Sequence, residues 1–214
     1  MEAGRFRDRT QAGQRLAERL QAYAGRDDVV VLALPRGGVP VAFEVARALG
    51  APLGVFVVRK LGVPGHEELA MGAIASGGVV LLDEGLVQAL GLGRDELERT
   101  VAAELRELER REQAYADNRK PPEVEGKTVV LVDDGLATGS TMRAAALAVR
   151  RLSPTRIVVA VPVAAPETCE ELRTVADETV CVLTPHPFRA VGLWYEDFAQ
   201  TSDDEVRRLL ADAA

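Results

Sequence analysis

The sequence predicts an α/β fold, with an open, mainly parallel β-sheet that carries helices on both faces. Runs of β-branched residues and leucine at residues 29–34, 129–132 and 157–163 have the composition of strands that are buried on both sides. Segments with helical periodicity alternate with these runs, as in successive right-handed βαβ units. The length suits a single domain over residues 1–214, with its core at residues 29–184.

Composition narrows the classes of partner and location. The chain is 47% hydrophobic and has a formal net charge of -7. An acidic protein has no general attraction to nucleic acid or to an anionic membrane, so any anion site must be local. No segment resembles a signal peptide or a membrane span, and we expect a cytoplasmic location. Cys169 and Cys181 fall in a predicted helix and a predicted strand, and we expect them to be buried thiols in a reducing compartment.

The first part of the chain predicts a helix followed by a βαβ arm. Residues 8–24 place apolar side chains on one stripe and Arg and Gln elsewhere, which is typical of an amphipathic helix. A buried strand at residues 29–34 leads through a Pro-Arg-Gly-Gly turn into a short helix at residues 41–49, which Gly50 ends. The next strand is predicted at residues 53–58.

The following segment predicts a lid and a hairpin. Residues 59–69 contain glycines and prolines that favour a loop, and a loop of this length is typical of a functional lid. His66 on this loop could transfer a proton, although an exposed loop histidine is more often a bystander. Residues 71–75 and 79–82, separated by Ser-Gly-Gly, predict a β-hairpin.

The second half continues the alternation after one long helix. That helix is predicted at residues 83–120, because Leu and Val recur at helical spacing among many Glu and Arg residues. Its charges are typical of a solvated face, and its apolar stripe could be a homodimer contact. Strands at residues 129–132, 157–163 and 179–183, with a helix at residues 166–175, complete the predicted sheet.

An aspartate pair and a turn of small residues follow the strand at residues 129–132. In an open α/β sheet, ligands bind outside the carboxyl ends of the strands, which is where Asp133 and Asp134 lie. The helix predicted at residues 140–152 starts directly after the turn, so its free N–H groups point back at the turn. Together with the neighbouring hydroxyls, these N–H groups suit a phosphate dianion.

The two carboxylates would repel a phosphate, so we expect them to bind a different group. A carboxylate accepts two short hydrogen bonds from neighbouring hydroxyls, such as the 2- and 3-hydroxyls of a ribose. Ribose 5-phosphate therefore fits the whole turn. The alternative is a simple helix N-cap in which Asp133 satisfies amides, but a cap alone does not need both acids.

The stretch VVLVDDGLATGST at residues 129–141 resembles, without a gap, the phosphoribosyl pyrophosphate signature of type I phosphoribosyltransferases. The resemblance implies an enzyme that transfers ribose 5-phosphate from phosphoribosyl pyrophosphate to a nitrogenous base, with release of pyrophosphate, in nucleotide salvage or synthesis. It implies that Asp133 and Asp134 bind the ribose diol, and that Mg²⁺ enters on phosphoribosyl pyrophosphate without a direct protein ligand. The implied 5-phosphate-binding residues are Ala137, Thr138, Gly139, Ser140 and Thr141.

The resemblance also assigns roles to two earlier segments. Arg36, Gly37 and Gly38 correspond to the family's pyrophosphate loop, and a plain glycine-rich turn is the alternative. Arg59 and Lys60 leave the second strand at the same edge of the sheet, where they could act in catalysis by stabilising charge on the leaving pyrophosphate. The Arg-Lys pair and the Gly-Val-Pro-Gly that follows resemble the start of the flexible lid in adenine-type enzymes.

The C-terminal segment corresponds to the family's hood, which holds the base. We place the hood at residues 184–200, together with the N-terminal helix, and expect Trp194 and Tyr195 to bind the base by stacking. A packed cap over the sheet is the alternative. Ala137 stands where hypoxanthine- and guanine-using members typically carry Asp, which makes this chain more similar to adenine or orotate enzymes.

Other classes of function stay open beside the transferase. A non-catalytic sensor would keep the phosphoribosyl pyrophosphate site and lack the base site. An ordinary dinucleotide binder is disfavoured, because no Gly-x-Gly-x-x-Gly follows the first strand. The expected partners are therefore phosphoribosyl pyrophosphate and a small nitrogenous base, with a second copy of the chain as one option for the apolar stripe.

Overall fold

The computed structural model describes residues 4–116 and 122–213. Within these ranges the strands are β1 (Val29–Ala33), β2 (Leu53–Val55), β3 (Val58–Val63), β4 (His66–Ala75), β5 (Val79–Leu82), β6 (Thr128–Val132), β7 (Arg156–Val163) and β8 (Glu178–Leu183). The α-helices are α1 (Arg9–Arg19), α2 (Gly38–Leu49), α3 (Glu84–Ala89), α4 (Arg94–Ala116), α5 (Ser140–Arg150), α6 (Pro166–Leu172) and α7 (Asp203–Asp212). Two short 3₁₀ turns lie at Gln21–Tyr23 and Val191–Trp194.

The main sheet has the strand order β2-β1-β6-β7-β8, and every neighbouring pair in it is parallel. The chain leaves β1 toward β2 on one side and later returns to β6 on the other side. This reversal creates a switch point between the carboxyl ends of β1 and β6, where open α/β sheets bind ligands. The predicted fold class is confirmed.

Helices cover both faces of this sheet. Alternate side chains of a strand point to opposite faces. In β1, Val29 and Val31 pack with α1, α2 and α7, while Val30 and Leu32 pack with α5 and α6. All five residues of β1 and all five of β6 are buried, as the unbroken apolar runs predict.

The loop predicted at residues 59–69 is wrong, because most of this segment lies in strands of a second sheet. Strands β3, β4 and β5 pair antiparallel in that order, and the predicted hairpin between β4 and β5 is confirmed. Leu61, Val63 and Met71 are buried against side chains of α3 and α4. Burial of these side chains outweighs the loop preference of the nearby glycines and prolines.

The single long helix predicted at residues 83–120 is also wrong. The structure has two helices there, α3 and α4, separated by residues 90–93, where Gly91 has a φ of 61° that ordinary helical residues do not adopt. The predicted end at residues 117–120 lies outside the described residues. The apolar stripe of α4 packs inside the chain, since Leu105 and Leu108 contact Ile74 of the second sheet. A homodimer contact is therefore not needed to cover it.

The two cysteines form a disulfide, so the expectation of buried thiols is wrong. Cys169 on α6 and Cys181 on β8 are joined because α6 packs directly on β8. Because both cysteines are in this disulfide, they give no support to the expected reducing compartment. Among the described residues, no helix is long and apolar enough to cross a membrane.

The C-terminal segment after β8 packs against the N-terminal segment before α1. Phe6 pairs with Tyr195 in a parallel bridge, and both side chains are buried with Val163 of β7. The hood region at residues 184–200 and α1 are thus fixed to each other beside the carboxyl end of the sheet. The peptide bonds Pro35-Arg36 and His186-Pro187 are cis.

Candidate active site

The glycine loop after β1 lies in direct contact with the aspartate pair after β6. A Cβ atom on Gly37 would overlap Oδ2 of Asp134. A Cβ atom on Gly38 would lie 2.8 Å from the carbonyl oxygen of Val132 and 2.9 Å from Cα of Asp133. Both positions therefore require glycine, and the structure brings together the two loops that the sequence assigned to one ligand.

The aspartate pair has an unusual electrostatic environment. Burial and the neighbouring Asp134 carboxylate raise the pKa of Asp133 well above its ordinary value. Burial also raises the pKa of Asp134, although Arg9 opposes that shift. Oδ1 of Asp133 accepts a hydrogen bond from the Asp134 N–H at 2.8 Å, which fixes one oxygen. Hydrogen bonds donated by a ribose diol would favour the ionised form of such a pair.

Arg9 is a site residue that the sequence did not reveal. Its guanidinium lies against Oδ2 of Asp134, with Nε at 2.9 Å and Nη2 at 2.8 Å. Nη1 donates to the carbonyl of Ala199 at 2.6 Å, and the guanidinium carbon lies 4.1 Å from the centre of the Phe198 ring. Arg9 therefore joins α1, the hood and the aspartate pair.

Asp8 starts α1 by accepting a hydrogen bond from the Gln11 N–H, which places Arg9 in the first turn.

The two aromatic residues proposed to bind a base have different surroundings. Tyr195 is 4% exposed, and its ring lies 5.4 Å from Phe6 and 5.0 Å from Phe198. Its hydroxyl donates to the Asp134 carbonyl at 2.6 Å, and burial raises its pKa. Tyr195 thus supports the aspartate loop, and its covered ring has no free face for stacking in this arrangement. Trp194 is only partly buried at the edge of the same cluster.

The turn after the aspartates is shaped for an anion. Leu136 donates its N–H to the Val163 carbonyl at 2.9 Å, and the Thr168 hydroxyl donates to the Ala137 carbonyl at 2.7 Å. Gly139 has a φ of 67° and precedes α5 without a side-chain cap. The first N–H groups of α5 therefore face the turn without a capping side chain. The exposed members of the turn are Ala137, Thr138, Ser140 and Thr141.

A cavity of about 340 Å³ adjoins the glycine loop. Arg36 and Thr141 border it on the side of the main sheet, and Phe56 and Val58 border it where the chain passes from β2 to β3. Helix α4 and the start of α7 complete its wall, so the cavity extends from the glycine loop toward the second sheet.

Arg59 and Lys60 lie on β3, outside the lining of this cavity. The Arg59 guanidinium pairs with Glu104 of α4 at 2.6 Å and lies 3.8 Å from Glu107. Lys60 is exposed. His66 is an exposed residue of β4, in a strand instead of a loop. The structure therefore brings Arg36, but neither Arg59 nor Lys60, to the cavity.

A doubly wound α/β domain with a turn of small residues, an aspartate pair and a glycine loop at its switch point is of the phosphoribosyltransferase type. The family model described as "Phosphoribosyl transferase domain" matches residues 5–197, and the chain belongs to this family. Membership in this family makes the domain one of the glycosyltransferase type.

Known relatives include two Mycobacterium tuberculosis proteins, each carrying the name "Putative phosphoribosyl transferase" and each 47% identical to this chain over 201 residues. These matches cover 94% of this chain but 45% of each relative, so the chain spans less than half of their length. The crystal structure of the Thermus thermophilus protein TT1426 is similar over 98% of this chain and 99% of that one, at 45% identity and a TM-score of 0.86.

Proposed function

We propose that this domain transfers ribose 5-phosphate from phosphoribosyl pyrophosphate to the nitrogen of a base, in nucleotide salvage or synthesis. In this reaction the bond between the anomeric carbon and the pyrophosphate oxygen breaks. A carbon–nitrogen bond forms, and the base loses the proton that its nitrogen carried. The observation that carries the proposal is the contact of the Gly37 loop with the Asp133-Asp134 pair, because it brings a candidate pyrophosphate loop beside a candidate diol site.

Different residues at the switch point suit different groups of the substrate. The turn at residues 137–141 and the start of α5 suit the 5-phosphate, and Asp133 and Asp134 suit the ribose hydroxyls. The backbone of the Gly37 loop, with Arg36, suits the pyrophosphate. This arrangement would hold the ribose between two fixed anions while charge develops on the leaving group.

Mg²⁺ suits the same site as a companion of the substrate. The carboxylates supply the oxygen atoms that Mg²⁺ prefers, and this ion commonly keeps several waters and binds substrate phosphates. Asp133 and Asp134 would hold Mg²⁺ indirectly, through the ribose hydroxyls of the substrate and through water. Bound in this way, the ion would neutralise charge on the departing pyrophosphate.

A non-catalytic sensor of phosphoribosyl pyrophosphate is the second candidate. The packing of Tyr195 between Phe6 and Phe198 favours it, because this aromatic ring of the hood offers no face to a base. The transferase is preferred because Trp194 is partly exposed and can take the stacking role.

The decisive experiment measures pyrophosphate release from Mg²⁺-phosphoribosyl pyrophosphate with a panel of purine and pyrimidine bases. We expect release with at least one base, accompanied by a change in the fluorescence of Trp194, the single tryptophan of the chain. Tight binding of phosphoribosyl pyrophosphate without release or a fluorescence change in any mixture would support the sensor and overturn the transferase.

A matched control tests the assignment of the diol. Asp133→Asn together with Asp134→Asn should weaken phosphoribosyl pyrophosphate binding at least about 10-fold, because charge-assisted bonds are lost. Binding of inorganic pyrophosphate, which has no diol, should change little. Equal losses for the two ligands in calorimetry would remove both aspartates from the ribose site.

A further inference from the structure

The wall of the cavity beside the glycine loop is rich in arginine, and part of it comes from a helix with no role so far in the site. Arg110 and Arg111 of α4 line the cavity opposite Arg36. The cavity is about 340 Å³, which is large enough for a small phosphorylated group. A positively charged cavity in a chain with a net charge of -7 indicates a local site for an anion.

One carboxylate holds both α4 arginines in place. The Glu107 carboxylate accepts from Nε of Arg110 at 2.7 Å and from Nε of Arg111 at 3.0 Å. These bonds, the one from Arg110 first, lower the pKa of Glu107 to about 2, so it stays ionised near neutral pH. Since Glu107 also lies 3.8 Å from Arg59, one acid is shared by three guanidiniums. The guanidiniums of Arg59, Arg110 and Arg111 therefore outnumber the carboxylates of Glu104 and Glu107, so this cluster carries a net positive charge.

The α4 arginines also retain hydrogen-bond donors for a ligand. A guanidinium carries five N–H donors. In the contacts of the described residues, Arg110 uses Nε and Nη2 on Glu107, and Arg111 uses Nε. The remaining donors match the geometry of phosphate oxygens, which guanidiniums bind in a bidentate manner.

Asp203 at the start of α7 occupies the mouth of the same cavity. Its carboxylate accepts from the Tyr115 hydroxyl at 2.9 Å and lies 3.7 Å from Nη1 of Arg36. An anion that reaches Arg36 must displace this carboxylate or lie beside it. Asp203 therefore opposes anion binding, while Arg110 and Arg111 favour it.

Resting on the proposed function, we infer that Arg110 and Arg111 bind the pyrophosphate group of phosphoribosyl pyrophosphate in this cavity, opposite Arg36. Helix α4 then supplies cations to the leaving group, whereas Arg59 and Lys60 of β3, to which the sequence assigned this role, lie outside the cavity lining. Asp203 sets the affinity by competing with the pyrophosphate for Arg36.

The test is calorimetric titration of the full chain with Mg²⁺-pyrophosphate. Arg110→Ala with Arg111→Ala should weaken binding about 10-fold or more, since charge-assisted hydrogen bonds are lost. Arg106→Ala is the matched control, because Arg106 is an exposed arginine of the same helix outside the cavity lining, and it should bind like the unmodified chain. Replacement by lysine at positions 110 and 111 should restore part of the affinity, since the charge is kept without the fork.

Asp203→Asn supplies a test of opposite sign that does not depend on the stability of the arginine variants. Removing the like charge should tighten pyrophosphate binding roughly 5-fold. Unchanged affinity in both the double arginine variant and Asp203→Asn would overturn the inference, while base-dependent pyrophosphate release would still support the transferase. If the unmodified chain binds neither pyrophosphate nor phosphoribosyl pyrophosphate, the proposed function fails together with the inference.

Discussion

The guanidinium of Arg9 lies 2.8 Å from the carboxylate of Asp134, although 125 residues separate the two in the chain. Their side chains are only 12% and 14% exposed, so solvent screens this pair weakly. The same guanidinium bonds the Ala199 carbonyl and contacts the Phe198 ring. The pair thus fixes the aspartate that we assign to ribose and attaches the hood to it.

Arg9→Met should reduce both stability and ligand affinity. It leaves the Asp134 carboxylate without its cation and next to Asp133, and the free energy of unfolding should fall by roughly 1.5–3 kcal/mol. Urea denaturation measures this loss, and calorimetry should show weaker phosphoribosyl pyrophosphate binding. In a double-mutant cycle with Asp134→Asn, the effects of the two substitutions on stability should not be additive. Strict additivity would mean that the two side chains do not act as a pair.

Asp133→Asn should stabilise the folded protein at neutral pH while removing a ligand contact. A carboxyl whose pKa is raised in the folded state binds more protons when the protein is folded. Its contribution to stability is therefore lost as the pH rises from 3.8, the ordinary pKa of Asp, through the raised pKa of Asp133. Asn abolishes that loss. We expect the Tm at pH 7 to rise on the order of 2–4 °C, the shift that about 1 kcal/mol produces in a domain of this size.

Asp177 provides the control of opposite sign for this measurement. Burial opposes its ionisation, but bonds from the Ile157 N–H at 2.7 Å and from Arg150 at 2.9 Å hold its pKa below the ordinary value. Its contribution is therefore present above pH 3.8 and is lost as the pH falls through the lowered value. Asp177→Asn should lower the Tm at pH 7. Parallel shifts in the two variants would contradict the electrostatic account.

Gly37→Ala should damage the site through one contact. Gly37 has φ -59° and ψ -32°, which any residue can adopt, so backbone strain does not enter. The added methyl group meets the Asp134 carboxylate, and overpacking of this kind costs about 1–3 kcal/mol. Thermal unfolding and calorimetry should show lower stability and little phosphoribosyl pyrophosphate binding. Gly4→Ala, where a Cβ meets nothing within 4 Å, should remain within about 0.5 kcal/mol of the unmodified chain.

Lys60→Ala tests whether Lys60, which lies outside the cavity lining, still acts on the departing pyrophosphate; a catalytic Lys60 should affect kcat more than ground-state affinity. Charge on the leaving group is largest in the transition state, and we expect kcat to fall about 10-fold or more. Lys60 is exposed, so folding should be unaffected. Arg59→Ala is a useful comparison because it also breaks the pair with Glu104 and should lower the Tm. A rise in KM with kcat intact would exclude Lys60 from catalysis.

The sequence predicts most reliably those strands whose residues are all buried. Every residue of β1 and β6 is buried, and such strands are recognisable as unbroken apolar runs. The turn at residues 133–141 was likewise predictable, because its residue types act within one short segment. Where the environment changes along a strand, as in β3, the pattern is mixed, since Leu61 is buried while Lys60 is exposed.

The parts that could not be predicted depend on contacts between distant residues. Arg9 appeared only as a polar position of an amphipathic helix, and no local pattern links it to Asp134. The Cys169–Cys181 disulfide follows from the packing of α6 on β8, which spacing does not define. Likewise, the charges of α4 indicate a solvated face until the fold brings Arg110 and Arg111 to the cavity.

The bridge between Phe6 and Tyr195 has a consequence for how the protein forms during synthesis. Chains emerge from the ribosome N-terminus first, and domains generally fold as units. Phe6 and Arg9 precede the main sheet in the chain, but their partners at residues 194–199 emerge only after β8. Until that point Phe6 has no partner strand and Arg9 lacks the Ala199 carbonyl. The nascent chain therefore contains every strand of the main sheet before it contains every residue of the candidate site.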